Sequence, residues 1–233
     1  MKTVIIIPTF NENNNIDIII KKIINLKLNL TILVIDDNSD DGTKKKILLL
    51  TKKYKKMNYI FRPHRLGIGS AHKRGFQWAK KKKFNIGITI DADMTHNPLL
   101  IKKMLTILKR KKFDIISSSR FLLDGALKNW PITRKSLTKI RYFLVKLVLN
   151  TSLDSSGGFR CYNLKNIRTE HLFLAKNNSY FFLIESLYYL EKLKYKIYEI
   201  PIILPYRSYG SSKMQIKDIF FSLINLFKLR LSK

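Results

Sequence analysis

Short apolar segments alternate with segments of helical spacing along the first half of the chain, and this order restricts the fold more than any other feature. Apolar, β-branched runs predict five strands, at residues 3–7, 31–35, 58–61, 86–90 and 114–118. Apolar residues at helical spacing predict helices between them, at residues 16–28, 43–54, 70–82 and about 98–110. Strands that alternate with helices predict an α/β fold with a doubly wound, mostly parallel sheet.

Acidic residues are concentrated where three of the predicted strands end. In doubly wound sheets, ligands bind beyond the carboxyl ends of the strands. The loops at residues 8–12, 36–41 and 91–93 hold seven of the 16 acids: Glu12, Asp36, Asp37, Asp40, Asp41, Asp91 and Asp93. Aspartate also favours turns and helix starts, so we interpret Asp40 and Asp41, which precede Gly42, as turn residues.

The segment Asp91-Ala92-Asp93 directly follows the predicted strand 86–90. Side chains two residues apart on a strand point to the same face, so we expect both carboxylates to reach one ligand. The chain has 45 Lys and Arg but only 16 Asp and Glu, and two such scarce carboxylates at one strand end favour a hard divalent cation with a bound diphosphate. The four histidines show no paired ligand spacing, which argues against zinc, and we expect His96 at the surface or at a helix start.

The net charge of +29 is compatible with three interpretations. Mutational bias in an AT-rich genome would enrich lysine throughout the chain, and an anionic membrane surface or a nucleic acid would attract it. No nucleic-acid-binding motif is present and the basic residues are scattered, so we predict no nucleic-acid partner. The 45% hydrophobic content supports a packed core, and the single Cys161 excludes an intramolecular disulfide.

Eight segments in a fixed order resemble one enzyme family. They are Ile7-Pro-Thr-Phe-Asn-Glu12 and residues 34–43, 62–69, 91–98, 117–121, 129–134, 156–160 and 206–213. Together they cover roughly residues 3–215 and resemble the family-2 glycosyltransferases of GT-A fold, most closely the dolichol-phosphate (polyprenol-phosphate) mannosyltransferases. The chain departs from the family at Phe10, where Tyr is usual, and at Ser118, where Gly is usual.

The resemblance implies a role for each matching residue. The nucleotide sugar would contact Pro8, Phe10, Glu12, Ile35, Asp37, Asp91, Ala92, Asp93, Arg120, Arg207 and Lys213. Mg²⁺ or Mn²⁺ would be held by Asp91 and Asp93, with Thr95 at a further ligand position where relatives often have Gln or Ser. The implied catalytic residues are Asp91, Asp93, Arg120 and Arg134.

The residue types favour a phosphate acceptor over a hydroxyl acceptor. A phosphate monoester is largely dianionic at neutral pH and attacks without a general base, whereas a hydroxyl needs one. Arginine grips phosphate with two parallel donors. The candidates are Arg120, Arg134 and Arg141, and the last two lie in a region, residues 129–150, that contains no acid. The resemblance implies GDP-mannose as the donor and a dolichyl or polyprenyl phosphate as the acceptor. Because such a phosphate would attack directly, we expect inverting transfer of mannose and a β-linked product. UDP-glucose or another sugar nucleotide, a glycan hydroxyl with a base near Asp154 or Glu185, and a solvated basic helix remain alternatives.

The last residues predict a basic amphipathic helix. We divide the chain into a GT-A domain at residues 1–212 and a tail at residues 213–233, whose apolar residues have helical spacing. This helix fits the membrane interface, its own core or a small membrane-anchoring subunit, and residues 140–149 are a second candidate for membrane contact. No apolar stretch reaches the roughly 20 residues that span a bilayer. We expect a cytoplasmic protein, peripheral on the cytoplasmic face of the endoplasmic reticulum in a eukaryote or of the plasma membrane in a bacterium.

Overall fold

The computed structural model describes residues 1–110, 112–127, 129–205 and 216–231. The strands are β1 (Thr3–Thr9), β2 (Leu30–Asp36), β3 (Met57–Phe61), β4 (Ile86–Thr89), β5 (Ile115–Ser119), β6 (Arg160–Asn163) and β7 (Ile197–Pro201). The helices are α1 (Ile16–Ile24), α2 (Thr43–Lys53), α3 (Ile68–Lys81), α4 (Leu100–Arg110), α5 (Ile132–Leu149), α6 (Thr169–Leu172), α7 (Phe181–Lys192) and α8 (Ile216–Leu231). The predicted α/β class and the strand–helix order of the first half are confirmed.

The strands form one mixed sheet in the order β3-β2-β1-β4-β6-β5-β7. Parallel pairs join β1 to β2 and β4, β2 to β3, and β5 to β7, whereas β6 runs antiparallel to both of its neighbours. The chain moves outward from β1 to β3 and then returns to place β4 on the other side of β1. The carboxyl ends of β1 and β4 therefore lie side by side at the point where the strand order reverses, which is where such sheets bind ligands.

Helices cover both faces of the sheet, and β1 shows why its sequence is apolar at every position. Val4, Ile5, Ile6 and Ile7 are all fully buried. Ile5 and Ile7 pack in one cluster with α1, α2 and α4, whereas Val4 and Ile6 pack in another with α3. Successive side chains on a strand point to opposite faces, so a strand covered on both sides has no polar position.

A third apolar cluster lies away from the sheet, among the three helices α5, α7 and α8. It contains Val145, Leu149, Phe181, Ile184, Tyr188, Leu226 and Leu229. The predicted helix in the tail is confirmed for the described part as α8, and Leu226 and Leu229 attach it to the rest of the protein. Within the residues that the structure describes, no helix is long and apolar enough to cross a membrane.

Candidate active site

Asp91 and Asp93 lie in the turn that follows β4 and line one cavity. The strand ends at Thr89, two residues before Asp91, so strand alternation is not what brings the carboxylates together. The turn itself brings the two carboxylates together, and Met94 in this turn adopts the left-handed region at φ 64°. The expectation that both carboxylates face one ligand space agrees with the structure, but its physical reason was wrong.

Hydrogen bonds fix the orientation of Asp93. Its Oδ1 accepts from the Thr95 backbone N–H at 3.1 Å and from the Thr95 hydroxyl at 2.6 Å. Asp91 is more open, with 30% of its side chain exposed, and its Oδ2 lies 3.7 Å from His96 Nδ1. His96 is buried against Phe159, and α4 begins only at Leu100, so the expectation of a surface or helix-start position was wrong. Thr95 lines the cavity as well, with its hydroxyl directed to Asp93.

The residues around Asp91 fit a small divalent cation. A Cβ placed on Gly158 would lie 3.3 Å from Asp91 Oδ1, so the glycine keeps the space beside this carboxylate clear. Gly158 is itself held by its carbonyl, which accepts from the Thr89 hydroxyl at 2.6 Å. Among the described residues no group of three or more His, Cys, Asp or Glu could hold a metal. Mg²⁺ and Mn²⁺ suit such a sparse oxygen site, because substrate phosphate and water complete their shell.

The predicted nucleotide side is built from the loops that follow β1 and β2. Pro8 and Ile35 are paired across these strands, but the Ile35 side chain is fully buried and offers no exposed side-chain surface to a ligand. The guanidinium of Arg65 lies 4.5 Å from the centre of the Phe10 ring. The Glu12 backbone N–H donates to the Thr43 hydroxyl at 2.9 Å, which ties the first loop to α2.

Asp37 forms a buried ion pair with Arg62 and accepts from the Gly67 backbone N–H at 3.0 Å. Burial raises the pKa of Asp37, against the opposing charge of Arg62. Asp41 accepts from the backbone N–H of Thr43, the first residue of α2, which agrees with the turn role expected for it. Asp40 instead accepts from the Asn11 side chain and so joins the first loop to the second.

Arg120 is buried and forms an ion pair with Asp154. Its Nε and one terminal nitrogen donate to the two oxygens of Asp154 at 2.8 and 2.6 Å, and its backbone N–H donates to Asp154 Oδ2 at 3.0 Å. Burial disfavours both charges, but the attraction and hydrogen bonds of the pair outweigh it, raising the pKa of Arg120 and lowering that of Asp154. The sequence predicted Arg120 as a phosphate contact; the structure adds a carboxylate that orients it.

Two more arginines reach the same cavity from α5. Arg134, Thr138 and Arg141 all line it, four and three residues apart on one face of the helix. Arg134 stacks on Trp130 at 4.5 Å. A terminal nitrogen of Arg141 donates to the Ser156 hydroxyl at 3.2 Å.

The cavity has a volume of ≈ 410 Å³ and changes character along its length. The two aspartates, Thr95 and the three arginines form its polar part. Its apolar part is formed by side chains of α5, α7 and α8, among them Leu137, Ile140, Leu144, Ile184, Leu223 and Leu226. Such a site can hold an anionic group and an apolar chain at once.

Two interactions at the site were not predicted from sequence, and two predicted residues lie outside the part of the chain that the structure describes. Asp154 and Glu199 stand behind the arginines: the Asp154 backbone N–H donates to Glu199 at 2.8 Å, and burial raises the pKa of Glu199 to about 7. Neither position has a local signal, because each is defined by contacts with distant segments. Arg207 and Lys213 lie outside the described residues.

Comparisons with known proteins show which family the chain resembles in sequence. The family model for glycosyl transferase family 2 matches residues 4–169. An undecaprenyl-phosphate mannosyltransferase of Micrococcus luteus is 25% identical over 227 residues, which cover 97% of this chain and 93% of that protein. A dolichol-phosphate mannosyltransferase of Pyrococcus furiosus is 33% identical, over 98% of this chain and 64% of that protein.

A solved structure supports the fold independently. It is the glucosyl-3-phosphoglycerate synthase of Mycobacterium tuberculosis in complex with Mn²⁺ and UDP-glucose. The two structures superpose with a TM-score of 0.65 at 18% identity, over 98% of this chain and 78% of the other.

Proposed function

Because the chain is a glycosyltransferase of GT-A fold that belongs to family 2, we propose that it transfers mannose from GDP-mannose to the phosphate of a polyprenyl or dolichyl lipid. The observation that carries this proposal is the cavity that joins the Asp91–Asp93 turn to three arginines and then to apolar helix faces. Its three parts correspond to a donor diphosphate, an acceptor phosphate and an isoprenoid chain.

The donor would lie at the edge where β1 and β4 end. Asp91 and Asp93 are the residues that would hold Mg²⁺ or Mn²⁺, with the Thr95 hydroxyl beside them. A divalent cation bound there would offset the negative charge that develops on the departing diphosphate. Pro8, Phe10, Glu12 and Asp37 belong to the two loops that would surround the nucleoside.

The acceptor phosphate would be held by Arg120 and Arg134. One of its oxygens attacks the anomeric carbon, the bond from that carbon to the diphosphate oxygen breaks, and GDP leaves with the electron pair. No proton has to be removed, because the phosphate is already ionised. Attack from the side opposite the leaving group inverts the anomeric centre and gives the β-linked lipid phosphomannose.

The two carboxylates considered as bases for a hydroxyl acceptor are engaged elsewhere. Asp154 is paired with Arg120, and Glu185 accepts from the Asn177 backbone N–H at 2.9 Å. Neither belongs to the residues that line the cavity. This arrangement supports a phosphate acceptor rather than a glycan hydroxyl.

We further propose that the protein works at the cytoplasmic face of a membrane, with residues 1–212 as the catalytic domain and the tail at its lipid side. Eight exposed apolar residues define what we name the α5–α8 surface: Leu137, Ile140, Phe143, Leu147, Phe221, Ile224, Phe227 and Leu231. Lys139, Lys146, Lys228 and Arg230 are exposed on the same two helices. Leu137 and Ile140 also line the cavity, so its apolar part adjoins this surface. A small membrane-anchoring subunit is the other partner that this surface would suit.

A donor screen tests the proposal. Purified protein is incubated with polyprenyl phosphate, Mn²⁺ and, in turn, labelled GDP-mannose, UDP-glucose and UDP-N-acetylglucosamine, and the lipid fraction is counted. We expect label in lipid only from GDP-mannose, with the β configuration shown by the one-bond carbon–hydrogen coupling at the anomeric centre. Activity with UDP-glucose alone would refute the donor, and label on a glycan hydroxyl would refute the acceptor.

A further inference from the structure

We propose that Arg141, acting with Ser156, is a specificity-determining residue that favours the dianionic phosphate monoester of the acceptor over the singly charged phosphodiester of the product. This inference rests on the proposed function, since it concerns the acceptor end of the same cavity. Arg141 follows Arg134 by seven residues and lies on the same face of α5.

Ser156 connects Arg141 to the arginine that is already oriented. Its hydroxyl accepts from Arg141 at 3.2 Å and also from a terminal nitrogen of Arg120, and it donates to Asp154 Oδ1 at 3.1 Å. The two guanidinium groups therefore converge on one hydroxyl at the cavity wall. An anion placed there would meet donors from both arginines.

Arg141 has hydrogen-bonding capacity that the described residues do not use. Among them, its buried Nε has no hydrogen-bond partner and its guanidinium forms no ion pair with a carboxylate. Burial and then repulsion from Arg120 lower its pKa to about 10, so it is still charged at pH 7. Arg141 is half-buried, and only the attraction of Asp154, which already pairs with Arg120, opposes this shift. A half-buried cation without an ion pair of its own is costly, and an anionic ligand would lower that cost.

Arg160 shows how a purely structural arginine differs. Its Nε also lacks a partner, but its other nitrogens donate to the carbonyls of Ser155 and Leu183 and to the Ser186 hydroxyl. Arg160 is fully buried and does not line the cavity. Arg141 lines the cavity, and among the described residues its side chain has a single hydrogen bond, to a hydroxyl that it shares.

The charge of the phosphate changes during the reaction, and Arg141 responds to that change. The acceptor monoester carries close to two negative charges at neutral pH, whereas the product diester carries one. Asp154 already offsets the charge of Arg120, so a further cation adds attraction that is about twice as large for the dianion as for the monoanion. Arg141 thereby strengthens acceptor binding more than product binding, which favours release of the product.

Calorimetric titration in the absence of donor tests the inference. Geranyl phosphate and its methyl ester serve as soluble monoester and diester probes, and the wild type is compared with Arg141→Gln. We expect about a 10- to 100-fold weaker monoester affinity, as for loss of hydrogen bonds to a charged group, and a smaller loss for the diester. Arg168→Gln is the control, because the Arg168 side chain is 73% exposed, and it should bind like the wild type.

Titration of the same variants with GDP and Mn²⁺ shows whether the donor side is intact. We expect Arg141→Gln to bind GDP normally. Equal monoester affinity in wild type and Arg141→Gln, equal losses for monoester and diester, or a parallel loss of GDP binding would each overturn the inference. A wild type that binds geranyl phosphate through Arg141 but uses another sugar nucleotide would refute only the proposed donor, because no donor enters the titration.

Discussion

Single residues in the site depend on partners that lie far away in the chain. Arg120 and Asp154 are 34 residues apart, yet three buried hydrogen bonds join them, with Asp154 behind the arginine that lines the cavity. The carboxylate holds the guanidinium plane in one orientation and offsets its charge. Arg120 is therefore preorganised for a ligand instead of being free to fold back on the surface.

Asp154→Asn should destabilise the protein strongly, because it leaves the Arg120 guanidinium buried without its counterion. The expected loss in the free energy of unfolding is about 3–5 kcal/mol, measured by urea denaturation. Asp17→Asn, which breaks the exposed pair with Lys21, is the matched control and should change stability by less than about 1 kcal/mol. A similar small loss in both variants would contradict the role given to Asp154.

Asp91→Asn and Asp93→Asn should each lower kcat by at least about 100-fold, because each removes a carboxylate charge from the proposed cation site. The exposed Asp124→Asn variant is the control and should keep wild-type turnover. Chelation with EDTA should stop transfer by the wild type, and added Mn²⁺ should restore it. Full activity of either aspartate variant in EDTA would disprove the cation site.

Glu199 should make stability fall as the pH rises from about 4.5 to about 7. Burial raises its pKa from 4.5 to about 7, so within that window the folded protein retains a proton that the unfolded chain releases. Stability decreases with pH wherever the folded state binds more protons, and it levels off above the folded pKa. Glu199→Gln should remove this pH dependence, which is worth at most about 3.5 kcal/mol at about 1.4 kcal/mol per pKa unit.

The free energy of unfolding of the wild type and of Glu199→Gln is measured by urea denaturation at pH 5, 6, 7 and 8. Over this range the wild type should lose at most about 3 kcal/mol more than the variant. Glu191→Gln on α7 is the control and should retain the wild-type pH profile. An unchanged slope in Glu199→Gln would show that the carboxyl group titrates at its ordinary value.

The sequence predicted the residues of the site better than their contacts. Asp91, Asp93, Arg120, Arg134 and Thr95 all line one cavity, and their motifs lie in short continuous segments. Their pairings could not be predicted, because the partner of Arg120 is fixed only when β5 and β6 are side by side. The assigned roles in binding and catalysis remain predictions.

At the scale of helices and strands, local pattern located the elements of the first half but misplaced some ends. The helix predicted at 16–28 ends at Ile24, and Lys27 adopts a positive φ of 52°. Leu26 and Leu28 nevertheless pack against the core, so their apolar spacing continues past the end of the helix. The antiparallel strand β6 was missed because four residues, one of them the buried Arg160, show no alternating pattern.

The helices α5 and α8 are the elements that should contact a membrane. Phe143 and Phe227 are 62% and 55% exposed, so replacing both with Ser should weaken binding to vesicles while leaving the core intact. Cosedimentation with vesicles that contain phosphatidylglycerol measures the partition, and about a 10-fold decrease is expected. Leu49→Ser, at an equally exposed leucine on α2, is the control.

Circular dichroism of the double variant should match the wild type. If Phe143→Ser/Phe227→Ser still sediments with vesicles as the wild type does, the α5–α8 surface is not the membrane contact. Loss of binding in Leu49→Ser as well would point to general adhesion of apolar side chains.

At the scale of the whole molecule, the order of elements predicted the α/β fold. The excess of basic residues adds a long-range electrostatic attraction to anionic surfaces. The net charge of +29 favours any anionic surface before apolar contacts form. Vesicle binding should therefore weaken as KCl is raised from about 0.05 to about 0.5 M, since the Debye length shortens from above to below about 10 Å. The sheet order itself could not be predicted, because it depends on where β4 returns beside β1.

Salt dependence is measured by the same cosedimentation with vesicles of zero and high phosphatidylglycerol content. Neutral vesicles should bind weakly and show little response to salt. Equal, salt-insensitive binding to both kinds of vesicle would mean that apolar insertion alone holds the protein.

One cavity combines arginine side chains with an apolar lining, and this has a practical consequence for handling the enzyme. Alkyl phosphate and sulfate surfactants combine an anionic head with a hydrocarbon chain, so they resemble the proposed acceptor. Such surfactants should compete with that acceptor, whereas uncharged maltosides lack the anionic head that the arginines would bind. An assay in micelles of alkyl sulfate or alkyl phosphate would therefore underestimate the turnover number of the enzyme. Alkyl phosphates are a rational starting point for inhibitors.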